Sequence, residues 1–380
     1  MMHRSLLAIL LACLFLSPAT ADSFVFSEPT FPAVADGETD NRPALLQAFA
    51  QLKPGDTLFL PAGDYRLELT DKPISVPSGV SLVGQGAKSR FLLASTGNDK
   101  QYRNWLKLGS NVTLSGLSAK RVEAFPAVLL PLAGDRENIT LHDVTIDGNG
   151  PELGGPYCHA IQVGYGHLDG LRLDRVEITG CSFGLFQSND ATGTVENVLV
   201  QQSMFHHNRA SDLEFNSPRG TMRNIVVRDC LFRDNLCHTL GAGFAVGFAN
   251  VADAEVQRCD IRNYGSEALH VEDRSRDIRL SQNTIFNGSN RGDNGIIMVL
   301  SDSTNVVIED NTIDARMNEN RTHLILVTSG GERFKRPNDV HIRGNLLTHG
   351  PSTRTWYLQP GSTSENAKNT VVAHEKEQDE

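Results

Sequence analysis

Hydrophobic positions recur along this chain in one eight-residue phrase, apolar-x-apolar-x-x-z-x-apolar, where z is a variable sixth position. Copies begin at Val80, Val112, Ile139, Leu171, Val198, Ile225, Ala254, Ile278, Val306 and Val340, spaced 24 to 34 residues apart. Between the copies runs a second series of short alternating segments. It comprises Ala160–Val163, Gly184–Gln187, Asp212–Asn216, Gly243–Gly247, Ala268–Glu272, Ile296–Leu300 and His323–Val327. Alternation with a period of two predicts strands, and no helical period intervenes. A propeller blade needs about 40 residues and four antiparallel strands. The shorter period seen here fits one coil of a parallel β-helix, with three short strands and their bends.

The sixth position of the phrase supports stacking, because it reads Cys230, Cys259, Asn283, Asn311 and Asn345 in successive copies. In a parallel stack these side chains sit ~4.8 Å above one another. An inward Asn can then bond the bend backbone and its own counterpart in the next coil. The predicted fold is all-β, a single-stranded parallel β-helix of about ten turns, one per copy of the phrase. Solenoid ends need caps. Residues 36–52 supply one: Asp40 or Asn41 as N-cap, Pro43 in the first turn, and an apolar face of Leu45, Leu46, Phe49 and Leu52. Met1 to Ala21 reads as a signal peptide, with Arg4, an apolar run from Ser5 to Leu16 and an Ala19-Thr-Ala site. The expected organisation is therefore a leader over 1–21, the β-helix over 22–360 and a charged, flexible tail over 361–380. A secreted monomer, periplasmic or extracellular, is expected. No later segment is apolar enough to span a membrane.

The entry segment Asp36-Gly-Glu-Thr-Asp-Asn, then a helix, then Gly55-Asp-Thr-Leu-Phe-Leu-Pro-Ala-Gly-Asp-Tyr, resembles that of the pectin-lyase-like superfamily. The repeats resemble its right-handed β-helix over roughly residues 30–350. The right hand is implied by that resemblance, not by the period. The resemblance also implies a secreted protein that acts on a polysaccharide, without choosing a reaction. Net charge is −10, which argues against a nucleic-acid partner. Binding of a polyanion would have to rest on a local arginine cluster. Five cysteines follow the leader, Cys158, Cys181, Cys230, Cys237 and Cys259, with no C-x-x-C spacing. They read as small core residues rather than a disulfide framework.

Candidate chemistry lies on the outward side of the second series. With Leu213 and Phe215 inward, Asp212, Glu214 and Asn216 point out. With Leu269 and Val271 inward, His270 and Glu272 point out, and Asp273 follows. The intervening coil, read with Phe244 and Val246 inward, presents only Gly243, Ala245 and Gly247. Two acidic coils thus flank a bare one, and skipping one coil separates them by ~9.5 Å. That is close to the ~6.5–9.5 Å carboxylate spacing of inverting glycosidases. Outward acids on a solenoid are most often solvated surface. Their co-location on one face, with Arg209, His206, His207 and His238 on nearby bends, favours a site. Arg209, Asn216, Gly247, Tyr264 and Arg274 are the candidate substrate-binding residues, and Phe186, Phe248 and Tyr264 the candidate stacking aromatics.

The leading expectation is hydrolysis of a glycosidic bond. Glu272 or Asp273 would serve as acid, and Asp212 or Glu214 as the base that activates water. The alternative is a lyase in which Ca²⁺ or arginine neutralises a uronate while His270 or an arginine removes the C5 proton. No cofactor is required by the first reading, and Asp212, Glu214 and Glu272 would form the oxygen-rich set that Ca²⁺ takes in the second. A third expectation is a non-catalytic, glycan-binding envelope protein. No lysine occurs between Lys120 and Lys335, so a lysine-based lyase has no matching base. The chain departs from polygalacturonases, lacking their full motif set, and from alginate epimerases, having no Asp-Pro-His-Asp. The pairs His206-His207 and Cys237-His238 lack a third spaced metal ligand.

Overall fold

The computed structural model describes residues 21–95, 101–155, 157–235, 243–292 and 294–373. Residues 1–20 of the expected leader, Cys237, His238 and residues 374–380 lie outside the described residues. No described helix is long and apolar enough to cross a membrane.

Strand ladders are parallel throughout the described residues, with one isolated antiparallel bridge between Thr70 and Asn104. Coils from Arg103 onward place strands on a 24-stranded sheet, which wraps two faces, and one strand on a separate ten-stranded sheet, while nearer the N-terminus Ile74–Val76 and Leu106–Leu108 form a two-stranded sheet. The coil Thr194–Gln201, Met204–His206, Leu213–Asn216 is representative. Register is set by the apolar phrase. Val195, Val198 and Val200 pair with Leu168, Leu171 and Leu173 on one side and Met222, Ile225 and Val227 on the other. A slip of one residue would turn each of these rows to solvent. Within the long strands, Asn138, Asn197 and Asn224 drop out of the pairing register and take the left-handed region that asparagine tolerates, at φ 51, 59 and 54°.

The predicted asparagine stack is present and buried. Asn283, Asn311 and Asn345 are each 1% exposed. Asn283 Nδ2 donates to Val256 O at 2.9 Å and to Asn311 Oδ1 at 3.0 Å. Asn311 Nδ2 donates in turn to Leu280 O at 2.8 Å and Asn345 Oδ1 at 3.0 Å. Cys230 and Cys259 continue the column, and all four described cysteines are buried and free. The helix Arg42–Gln51 forms at the N-terminal end and buries Ala44, Leu45, Ala48 and Phe49.

Three sequence expectations are corrected here. Leu46 is 44% exposed, because the helix seats on the face of Ala44, Leu45, Ala48 and Phe49. The stretch expected as a tail carries two more strands, Thr363–Ala367 and Thr370–Val372, paired to the coil below. Asn369 supplies the next rung of the stack, accepting from Asn345 N and Nδ2 at 3.0 and 2.9 Å, and so extends the solenoid. In the bare coil the strand is Val246–Ala249, with Val246 and Phe248 paired to Leu269 and Val271 on the inner side. Phe244, expected inward, lies before the strand and half-exposed.

Candidate functional site

Outward positions of the ten-stranded sheet fall into columns. Glu214, Gly247, His270 and Met298 pair in one, and Asn216, Ala249 and Glu272 in the next. Leu213, Phe215, Leu269 and Val271 are fully buried on the opposite side, as the alternation requires. The bare coil therefore does separate two acidic ones. A cleft of ≈390 Å³ opens there, with Gly247 and Ala249 at its floor, Glu214 and Asn216 on one flank and His270 and Glu272 on the other. Two coils at ~4.8 Å place the flanks ~9.6 Å apart.

His270 is the electrostatic centre. It is 8% exposed, stacked against Phe244 at 5.1 Å and 20° between planes. Its Nε2 lies 3.3 Å from Glu272 Oε2, and its Nδ1 lies 3.9 Å from Glu267 Oε1. Neither ring nitrogen has a well-aligned hydrogen-bond partner. Burial pulls the imidazole pKa down, but Glu272, Glu267 and Glu214 outweigh it and the net shift is upward. The ring is thus held toward its charged form. Glu272 responds in kind: its contact with His270 holds the carboxyl below the ordinary glutamate value. Glu214 goes the other way. Burial pushes its pKa up against the hydrogen bond from Ser211 Oγ at 2.9 Å. Two carboxyls on one cleft, displaced in opposite directions, form the pattern of an acid and base pair.

Several predicted residues stand elsewhere. Asp212 has the outward parity but sits one residue before its strand, at the corner. It is fully buried there, in line with the equally buried Ala245. Its carboxyl receives the Tyr264 hydroxyl and Asn208 Nδ2, the latter at 2.6 Å. Burial raises its pKa to about 7. Asp212 and the fully buried Tyr264 are therefore interior scaffold, out of reach of a glycan or an activated water. Phe248 points inward as well. Arg209 donates to Gly155 O at 2.9 Å, away from the cleft lining, and His206 pairs with Glu177 on the large sheet. Asp273 and Arg274 line a neighbouring pocket instead of the cleft. Burial beside Glu272 raises the Asp273 pKa.

The expected Ca²⁺ set is not brought together, because Asp212 is enclosed. Among the described residues, the metal-sized grouping is His167, Asp169 and Glu196, where Arg223 already binds Glu196 at 2.6 Å. Sequence reasoning missed Glu267 and Phe244. Both precede their strands, in bends where period-two alternation carries no signal. Glu267 is 4% exposed and receives Asn294 Nδ2 at 2.8 Å.

Fold and site together define a parallel β-solenoid with an acidic cleft on one sheet. The chain belongs to the right handed beta helix region family, whose model matches residues 132–347. It is 27% identical over 194 residues to mannuronan C5-epimerase AlgE3 of Azotobacter vinelandii, a match spanning 48% of this chain and 9% of that protein. Among solved structures, the A-module of the A. vinelandii mannuronan C-5 epimerase AlgE6 superposes with a TM-score of 0.60. That match has 16% identity and covers 93% of this chain and all of the module. A mutant tailspike protein of E. coli bacteriophage HK620, in complex with pentasaccharide, superposes at 0.58 with 16% identity, covering 92% of this chain and 66% of its own. At that identity the superpositions establish the fold.

Proposed function

We propose that this chain acts on a polysaccharide and hydrolyses a glycosidic bond in the cleft over Gly247. One observation carries the reading: Glu214 and Glu272 stand on opposite flanks of a bare coil, in adjacent columns, with pKa values displaced in opposite directions. Glu214, held toward its protonated form, is the general acid. Glu272, held ionised by His270, is the base that activates water. This reverses the roles expected from sequence. The bare coil between the two positions leaves room for that water. The relative named for mannuronan and the structural neighbour in complex with pentasaccharide support a glycan as ligand.

His270 as the proton-abstracting base of a lyase fits the geometry less well. Three glutamates shift its pKa upward, which works against the neutral imidazole that would have to accept the C5 proton. The test is a panel of neutral and acidic glycans, read three ways: reducing ends, absorbance of unsaturated uronates, and C5 configuration by NMR. Reducing ends without absorbance are expected. Glu214→Gln and Glu272→Gln should each lower turnover at least ~10²-fold. Absorbance, C5 inversion or full activity of both variants would replace the hydrolytic reading.

A further inference from the structure

One buried acid in the cleft wall has no place in the acid and base pair. Glu267 lines the cleft yet is 4% exposed, and both of its carboxyl oxygens are occupied. Oε1 receives Asn294 Nδ2 at 2.8 Å, and Oε2 receives the Ser266 hydroxyl. These donors are fixed in turn by the coils beyond. The Asn294 carbonyl receives the Thr322 hydroxyl, and Ser266 O receives Ser289 N at 2.8 Å. On the other side of Glu267, Ala268 N donates to Ile296 O at 2.9 Å, so the bend is tied down before and after the acid. A carboxyl held this way cannot swing out to activate water. A buried carboxylate is costly unless a positive group stands beside it. Among the described residues Glu267 forms one ion pair, with His270, at 3.9 Å from Oε1 to Nδ1.

The imidazole in turn needs a fixed neighbour. Phe244 stacks on the ring at 5.1 Å and 20°, which sets its plane but not its flip. A half-turn about the Cβ–Cγ bond stacks equally well and puts carbon where each nitrogen now stands. Only one flip sets Nε2 3.3 Å from Glu272 Oε2. Glu272 cannot secure that flip by itself. It opens to the cleft, and when it takes the proton of the attacking water its charge, and with it its hold on the ring, is lost. Glu267 takes no part in that transfer and keeps its charge throughout. Burial pulls the His270 pKa down, and Glu272, Glu267 and Glu214 together carry it above the ordinary value. Among the described residues the ionisable groups facing the ring are these three and Asp273, which follows Glu272. The strands on either side, Val246–Ala249 and Gly295–Leu300, carry none.

We infer that Glu267 is the positioning residue of this site: it sets the flip of the His270 ring and holds Nε2 against Glu272 through the whole reaction cycle. The inference rests on Glu272 as the base that activates water, and it adds the part that keeps that base supplied with its cation. The 3.9 Å contact is looser than a hydrogen bond, as catalytic contacts often are before substrate closes them. A carboxylate that orients a histidine from its far nitrogen acts through that histidine and touches no reacting atom.

The experiment reads the histidine directly. Full-length protein carrying ¹⁵N-labelled histidine is titrated by NMR, and the His270 signals are identified by their loss in His270→Gln. The wild-type midpoint should lie above the ordinary ~6.5. Glu267→Gln keeps the shape, can still accept from Asn294, and should lower the midpoint by ~1 pH unit. Glu267→Asp, which keeps the charge, should recover part of that shift. On the glycan that the chain cleaves, Glu267→Gln should lower kcat at least ~10-fold with KM unchanged. Were Glu267→Gln not to fold, Asn294→Ala, which frees the carboxylate from its anchor, should lower the midpoint and kcat in the same sense. An unmoved His270 midpoint in the folded variant, or a moved midpoint with full kcat, overturns the inference. A purely structural Glu267 would change the melting temperature and leave the titration where it is. Absence of glycan cleavage would remove the hydrolytic reading, while the titration would still decide whether Glu267 holds the ring.

Discussion

Replacing Asn311 by Leu removes one rung from a buried polar ladder, and the structure sets the cost. Asn311 Oδ1 accepts from Asn283 N and Nδ2, both at 3.0 Å, and its Nδ2 donates to Leu280 O and to Asn345 Oδ1. The backbone Asn311 N–H still reaches Asn345 Oδ1 at 2.9 Å, so that oxygen keeps a partner. Three groups are stranded: the Asn283 amide N–H, the Asn283 side-chain N–H and the Leu280 carbonyl. Each unmet buried group costs ~1–3 kcal/mol, and leucine recovers some apolar burial, leaving about 3–5 kcal/mol. At roughly 2 °C per kcal/mol for a large domain, the melting temperature should fall by about 6–10 °C. The comparison variant is Arg321→Ala, exposed and with no side-chain hydrogen bond or ion pair to a described residue, which should move stability by less than ~0.5 kcal/mol. Glu309 would not serve, although its place in the phrase reads as outward. Arg279 and Arg343 close over it and leave it 6% exposed. The assay is calorimetry alongside urea unfolding followed by circular dichroism. An Asn311→Leu midpoint within experimental scatter of Arg321→Ala would show that the ladder carries no stability and refute the reasoning.

Turnover should follow a bell in pH, with the acid limb below the ordinary glutamate value from Glu272 and the alkaline limb above it from Glu214. Since His270 lowers both carboxyls, His270→Gln should move both limbs upward, and unmoved limbs would remove His270 from the electrostatics. Asp212 gives a linkage of definite sign. Its folded pKa of about 7 exceeds the ordinary 3.8, so the folded chain keeps a proton that the unfolded chain has released. That contribution is complete below about pH 4 and is lost as pH rises toward 7, by up to about 4 kcal/mol. Asp212→Asn should flatten this dependence in urea midpoints taken between pH 4.5 and 7.5; parallel curves for the two proteins would refute it. Gly247→Ala places a methyl group where the Phe244 ring lies, and glycan affinity should weaken about tenfold, some 1.4 kcal/mol. Unchanged affinity in a folded variant would move the sugar away from this floor.

The fold was legible because a solenoid repeats its constraint. Ten copies of one phrase agree on which side is buried, and a stacked Asn cannot be mimicked by unrelated strands. The site was legible only where strand parity governs it. Glu214, Gly247, His270 and Glu272 stand in the predicted columns because each lies inside a strand. Asp212, Tyr264, Phe244 and Glu267 were misplaced or missed because each lies in a bend, where the chain turns a corner and parity no longer predicts direction. Asp212 shows the cost of that limit: its alternation is outward, yet the Asn208 bend and Tyr264 enclose it. The tail was misread for a related reason. The final strands Thr363–Ala367 and Thr370–Val372 stay partly exposed, so their sequence lacks the apolar signature that marks inner coils.

The charge pattern of the cleft traces back to one missing side chain. A Cβ at Gly247 would overlap the Phe244 ring, so only glycine lets that ring fold down against the sheet. There it stacks on His270 and shields it from water. Shielding alone would drive the imidazole neutral; it stays toward its charged form because Glu272, Glu267 and Glu214 surround it. Kept out of water, that charge acts on its neighbours with little screening. Glu272, in contact with it, is held ionised, whereas Glu214, two coils away and buried, is held toward its protonated form. The bare coil therefore does more than make room for a sugar. By admitting Phe244 it encloses His270 against Glu272, and the two glutamates part into an acid and a base because contact with that histidine lowers one while burial raises the other.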